Sequence, residues 1–344
     1  MHMADALLSP AVGATMWAGS VATMGYSSRK LKENIDNKTI PLMGVMGAFI
    51  FAAMMINFTI PGTGSSGHIA GGILLTVMLG PYAAFLVLAS VLMVQALFFA
   101  DGGLLALGCN IWNMGFYPCF LAYPLTYKPI AGDGTSAKRI YIASIVSVVI
   151  ALQLGAFSVV LETLSSGRSE LPFGTFALLM QPIHLAIGLV EGIITAGIIS
   201  YVKTVRPEIL EANNTLQPLD AGTSLKNVLA AFVILAVVSG GALSWFASTH
   251  PDALEWSIQK VTGKRELAEQ TNGIASLLRD IQEKTAFLPG YNFKPDGKYE
   301  PKKQKTPSWP GIEAGTSFAG ILGGAIVLMF ILFIGFGIRR FKKQ

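Results

Sequence analysis

Residues 81–100 read PYAAFLVLASVLMVQALFFA, a stretch without a charge that follows Gly80 and ends at Asp101. A hydrocarbon core about 30 Å thick takes roughly 20 apolar residues of helix to cross, so this stretch by itself predicts a membrane span. The same ruler predicts further spans near 8–27, 41–60, 104–127, 139–161, 176–202, 226–247 and 314–338. His68 to Leu79 is too short to cross unaided. It reads as a short or tilted helix inside the bundle, where protein shields irregular backbone ahead of the Gly80-Pro81 break. The expected fold class is all-α: a polytopic transmembrane helix bundle of about seven helices, with two more in a C-terminal region.

Composition agrees. Of 344 residues, 52% are hydrophobic and 13% charged, about half the charge of a typical soluble domain. A soluble enzyme and a disordered chain are disfavoured. The net charge of +5 sits in short runs between apolar segments rather than on one face, so no nucleic-acid partner is expected. Cys109 and Cys119 offer neither a disulfide framework nor a plausible soft-metal pair.

The basic runs give an orientation. Arg29, Lys30, Lys32 and Lys38 follow the first span. Lys128, Lys138 and Arg139 come next, then Lys203 and Arg206, then Arg339, Arg340, Lys342 and Lys343. All fall on one side, the cytoplasm, if the short helix counts as a crossing. The N-terminus, the 61–68 loop, Asp101 and the 162–175 loop then face outside, and the C-terminus faces in. The apolar N-terminal stretch precedes its basic cluster, the reverse of a signal peptide. The chain is therefore expected as a multi-pass cell-membrane protein.

Three parts follow: residues 1–205, a cytoplasmic linker at 206–224 punctuated by Pro207 and Pro218, and residues 225–344 with two spans around an external loop at 248–311. That loop holds 18 of the chain's Asp, Glu, Lys and Arg residues. Leu267, Ile274, Leu277, Leu278 and Ile281 predict one amphipathic helix within it, and 294–310 reads as irregular. No Walker A sequence or Gly-rich nucleotide loop is present, so any ATPase must be another chain.

The chemistry concentrates at the N-terminus. With Met1 retained, as a bulky second residue favours, the Met1 amine, the His2 amide nitrogen and the His2 imidazole can chelate one metal ion through fused small rings. A histidine elsewhere would close a plane of four nitrogens, which suits Ni(II) or Cu(II). The alternative is a frayed terminal residue. His68 ends the run Pro61-Gly62-Thr63-Gly64-Ser65-Ser66-Gly67, whose glycines allow close approach to a ligand. The alternative is that His68 caps the next helix. His184 and Glu191 share a helical face at a spacing of seven. They either orient the metal ligands or form a buried pair between helices. Asn57, Gln95, Asn110 and Asn113 are further buried polar residues that either bond the metal-site loop or join helices. Small residues recur at Ala14, Ala18 and Ala22, and at Ala48 and Ala52. They serve internal packing first and could also dock a partner membrane protein.

Met1-His2-Met3-Ala4-Asp5-Ala6-Leu7-Leu8-Ser9-Pro10, the Gly67-His68 loop, Asp101 to Gly108 with Asn110 and Asn113, and His184 with Glu191-Gly192 together resemble a known family. It is the substrate-binding membrane component (NikM/CbiM type) of nickel and cobalt energy-coupling-factor ABC transporters. The resemblance covers roughly residues 1–205. Residues 220–344 resemble, by architecture alone, its small companion protein, here fused. The resemblance implies Ni(II) or Co(II) as transported substrate with no organic cofactor. It implies ligation by the Met1 amine, the His2 backbone and imidazole nitrogens and the His68 imidazole, the set the chelation argument also reached. It implies as partners a transmembrane coupling protein and two cytoplasmic ATPases, with the lipid bilayer around them. Met3-Ala4-Asp5-Ala6 departs slightly from the family pattern without touching those ligands. A membrane metalloenzyme is the main rival, but no His-Glu-x-x-His motif is present. A non-transporting metal sensor or passive channel is another.

Overall fold

The computed structural model describes residues 2–35, 38–168, 171–210, 225–264, 267, 273–293 and 310–340. They form a helix bundle with one short hairpin. Helix α1 (Pro10–Asn34) starts where Ser9 Oγ accepts from the Val12 N–H and Pro10 supplies a helix-ready φ. It runs on past residue 27, through Arg29, Lys30 and Lys32. Helix α2 (Thr39–Met54) stops short of the expected 60. The chain there turns into strands β1 (Phe58–Ile60) and β2 (Ser65–Gly67), paired antiparallel with Phe58 opposite Gly67.

Helix α3 (Gly72–Leu79) is the expected short one, and each of its residues is buried. At about 1.5 Å per residue it reaches only part-way through a bilayer. Gly80 breaks it, and α4 (Pro81–Phe99) follows. Helix α5 begins at Leu107–Ile111, takes wide π turns through Trp112–Tyr127 and ends at Lys128–Ala131. Pro118 and Pro124 lie in the wide part, where each lacks the N–H that a regular turn needs.

Helices α6 (Ala137–Ser166) and α7 (Phe173–Val205) pack along their length. The small-xxx-small pair Gly188 and Gly192 permits this: a Cβ on Gly192 would lie 2.6 Å from the Ile145 Cα. The C-terminal region contributes α8 (Lys226–Gly241) and α11 (Ala314–Arg340), which pack on α2 and on each other. Between them, among the described residues, lie two α-helices where one was expected: α9 (Ala253–Thr262) and α10 (Ile274–Thr285). Residues 211–224 of the expected linker, most of the 294–310 stretch, Lys342 and Lys343 lie outside the described residues.

By length and apolarity α4, α6, α7 and α11 suffice to cross a membrane, while α2 and α8 are shorter apolar helices. Leu178, Leu185, Leu189 and Ile193 on α7 and Met329 and Phe333 on α11 are exposed. Such apolar outer faces suit lipid, not water. The chain is a multi-pass membrane protein.

Candidate metal centre

The N-terminal segment is pinned between helices. The Met3 N–H donates to Asn110 Oδ1 at 2.8 Å. Its carbonyl accepts from Asn110 Nδ2 at 3.3 Å and from the Gly103 N–H at 3.0 Å. The Met3 side chain is fully buried, as is Leu8. Asp5 Oδ1 accepts from the Ala106 N–H at 2.9 Å. Gly103 allows that approach, since a Cβ there would lie 1.8 Å from Asp5 Oδ1. Met1 lies outside the described residues.

This anchoring sets His2 beside His68. The two imidazoles stack with centroids 5.2 Å apart and planes at 28°. His2 Nε2 lies 3.2 Å from Gln95 Oε1, within hydrogen-bond distance, and its Nδ1 lies 3.6 Å from Asp101 Oδ1. His68 follows β2, and its Nδ1 donates to the Ile69 carbonyl at 3.3 Å. Because α3 begins at Gly72 with Gly71 before it, His68 does not cap that helix. The bond to Ile69 leaves His68 Nε2 as the ring's acceptor. Burial lowers the pKa of His2, against the opposing pull of Asp101. Burial also holds His68 well below the usual histidine range, helped by the amino terminus and by His2. Both rings thus favour the neutral form, which can bind a metal ion. Among the described residues no three His, Cys, Asp or Glu side chains converge to hold a metal ion.

Glu191 and His184 act separately. Glu191 Oε2 accepts from the Ala70 N–H at 2.7 Å and Oε1 from the Gly71 N–H at 2.9 Å, which fixes the backbone just after His68. His184 Nδ1 donates to the Met180 carbonyl within its own helix at 2.8 Å. Its buried Nε2 has no partner among the described residues, and the ring lines a small cavity with His68 and Asp252. Asn113 Nδ2 donates to Glu162 Oε2 at 2.8 Å. The Asn57 carbonyl accepts from the Ser248 N–H at 2.7 Å. Ala14, Ala18 and Ala22 are exposed on α1, whereas Ala48 and Ala52 are buried, with Ala48 facing Gly324 of α11.

The described residues of the 248–311 segment fold over the same end of the bundle. The Ser66 N–H donates to the Pro251 carbonyl at 2.8 Å. Gln282 Nε2 of α10 donates to the carbonyls of Ala96 at 2.9 Å and Gly102 at 2.7 Å. Tyr291 donates to Asp101 Oδ2 at 2.5 Å and accepts from Gln95 Nε2 at 3.1 Å. Burial and the Asp101 charge hold the Tyr291 hydroxyl protonated, well above the usual tyrosine range. A cavity of about 310 Å³ opens beside His2, lined by Asp5, Asp101, Asp252, Glu255 and Gln282 among others. Sequence reasoning did not single out the roles of Asp252, Gln282, Tyr291 or Glu162. Only Asp252 carried a local signal: with Glu255 it forms an acidic helix start, where Asp252 Oδ1 accepts from the Glu255 N–H at 2.8 Å.

Residues 2–209 match the family described as cobalt uptake substrate-specific transmembrane region (CbiM), and residues 226–340 match the PDGLE domain. A relative from Archaeoglobus fulgidus is 32% identical across 100% of this chain and 99% of its own length. The fused nickel transport protein NikMN of Rhodobacter capsulatus is 28% identical over 80% of this chain and 82% of its own. The crystal structure of a transition metal transporter superposes with a TM-score of 0.53 at 33% identity, covering 60% of this chain and 95% of that one. The chain belongs to the CbiM family of substrate-specific transmembrane regions for cobalt uptake, joined in one polypeptide to a PDGLE domain.

Proposed function

We propose that the chain is the substrate-capture component of an energy-coupling-factor uptake transporter for Ni(II) or Co(II). Its relatives are named for transport of these metals. The ion binds from the extracytoplasmic side through the Met1 amine, the His2 backbone nitrogen and imidazole, and the His68 imidazole. A transmembrane coupling protein and two cytoplasmic ATPases complete the transporter and drive release inward. The observation that carries this reading is the stacked His2–His68 pair at the end of a segment anchored at Met3 and Asp5. Two neutral imidazoles plus backbone nitrogens make a nitrogen donor set that excludes Mg and Ca and suits nickel. Copper would bind more tightly by intrinsic affinity, so its exclusion falls to rigidity and availability.

His68→Ala tests the ligand set. Titration of Ni(II) into the purified protein in detergent should show a strong loss of affinity while the thermal unfolding transition is kept. Undiminished affinity would place the fourth nitrogen elsewhere.

A further inference from the structure

We propose that Tyr291, supplied by the C-terminal region, is a positioning residue for the metal site: its hydroxyl fixes the Gln95 amide and, through it, the tautomer of His2. Donors and acceptors along the chain Asp101–Tyr291–Gln95–His2 decide which atom faces which. A tyrosine hydroxyl has one proton, and here it goes to the Asp101 carboxylate. The oxygen must then accept from Gln95, which requires the Nε2 end of that amide. The opposite end, Oε1, therefore faces His2. Since Oε1 only accepts, His2 Nε2 must carry the ring proton. His2 Nδ1 then carries no proton: the acceptor beside it, Asp101 Oδ1, lies at 3.6 Å, beyond hydrogen-bond reach. Nδ1 is the nitrogen next to Cγ, so it closes a six-membered chelate ring with the amide nitrogen of the same residue. Nε2 lies too far around the ring to do so.

Two independent features show that the arrangement is built. Ala100 and Tyr291, with φ of 51° and 60°, are the non-glycine residues at positive φ among the described residues. One precedes Asp101 and the other is the hydroxyl donor. Strained backbone of this kind persists where its surroundings over-determine it, and it clusters at functional sites. The Tyr291 ring is also wedged, stacked on Phe99 at 5.1 Å and 20° and set edge-on to Phe51 at 6.1 Å. These contacts hold the ring without the hydroxyl, so Tyr291→Phe removes one oxygen and leaves the packing. Fusion thus gives the capture component a constitutive orienting group, where a separate companion chain would have to dock to supply it.

The inference rests on the proposed His2 chelate for its purpose, and the test separates the two. Protein labelled with ¹⁵N-histidine is examined metal-free in detergent by long-range ¹H–¹⁵N correlation, with a His2→Ala variant to assign the signal. The wild-type His2 ring should show a protonated Nε2 and a bare Nδ1. Tyr291→Phe should give a mixture of tautomers and weaken Ni(II) binding about tenfold or more, the usual effect of losing a group that orients a ligand. Gln95→Leu should reproduce both effects and serves as the check if Tyr291→Phe lowers the yield of folded protein. An unchanged His2 tautomer in both variants overturns the positioning role whatever the metal data show. A released tautomer with unchanged Ni(II) affinity, where His2→Ala abolishes binding, overturns its importance to the metal. If His2→Ala itself leaves Ni(II) binding intact, the chelate reading fails while the tautomer result still decides the hydrogen-bond argument.

Discussion

Asn110 holds Met3 by both ends of one amide, accepting its N–H at 2.8 Å and donating to its carbonyl at 3.3 Å. A side chain on α5 thereby takes the place of a strand neighbour for the residue after His2. Without that bracket, the first residues would pay the entropy of ordering at the moment of metal binding.

Asn110→Leu should therefore keep the bundle, since the site is buried and leucine repeats the branched heavy-atom outline of asparagine, but weaken Ni(II) binding by about 10- to 100-fold. The Met3 N–H loses its partner while the Met3 carbonyl keeps the Gly103 N–H, which adds a stability cost of about 1–3 kcal/mol where the N–H stays dry. Calorimetric titration and thermal unfolding in detergent measure the two effects separately. Equal Ni(II) affinity in wild type and variant would mean that the N-terminal segment is held by other means.

Glu191→Gln makes a contrasting case. The carboxylate receives both the Ala70 and Gly71 N–H groups. A glutamine keeps one oxygen as acceptor and turns an N–H group toward the other donor. The loop after His68 loosens, yet both imidazoles stay. Ni(II) affinity should fall by less than in His2→Ala. A larger fall in Glu191→Gln would promote Glu191 from support of the loop to a direct role at the ion.

The sequence made the long spans legible, because twenty uncharged residues in a row admit few other readings. The span expected near 81–100 is Pro81–Phe99, and the one near 314–338 is Ala314–Arg340. What misled was apolar character without helix. Met55–Ile60 reads as the end of a span but turns into β1, because its partner β2 lies across the Gly62 and Gly64 turn and is held by Pro251 from far down the chain. Of the candidate site, chelate chemistry and loop composition singled out His2 and His68, and the structure brings the two rings together. Tyr291 and Gln282 were not, because they act through tertiary contacts that leave no periodicity. Asp5 was quoted only as part of a motif, and its bond to the Ala106 N–H explains its place there.

Acid should destabilise the metal-free protein. His2 and His68 have folded-state pKa values lowered from 6.5 by burial. Above that value the rings are neutral folded or unfolded, and they contribute no pH dependence. As pH falls below it, the unfolded chain takes up protons that the folded rings resist, so stability is progressively lost. The part of the thermal stability that these two rings control, read as the difference between wild type and the His2→Ala/His68→Ala double variant without metal, should be flat from about pH 8 to about pH 7 and decline toward about pH 5. A difference that stays constant across that range would assign the loss of stability in acid to other groups.

Packing between α6 and α7 depends on bare backbone. A Cβ on Gly192 would meet the Ile145 Cα at 2.6 Å, which is backbone and cannot rotate away. Gly192→Leu should separate the helices at a cost of at least about 1–3 kcal/mol and displace Glu191 from Ala70 and Gly71. Both the unfolding temperature and Ni(II) affinity should fall. Full stability in this variant would show that the two helices are not in contact there.

The proposed chelate takes the Met1 amine as a ligand. The direct measurement extends the chain by one residue ahead of Met1 and records stoichiometric Ni(II) binding and visible absorption in detergent. Wild-type protein should bind Ni(II) tightly with the spectrum of a planar nitrogen site, and the extended protein should lose both the affinity and that spectrum. Tight binding with an unchanged spectrum in the extended protein would contradict the chelate.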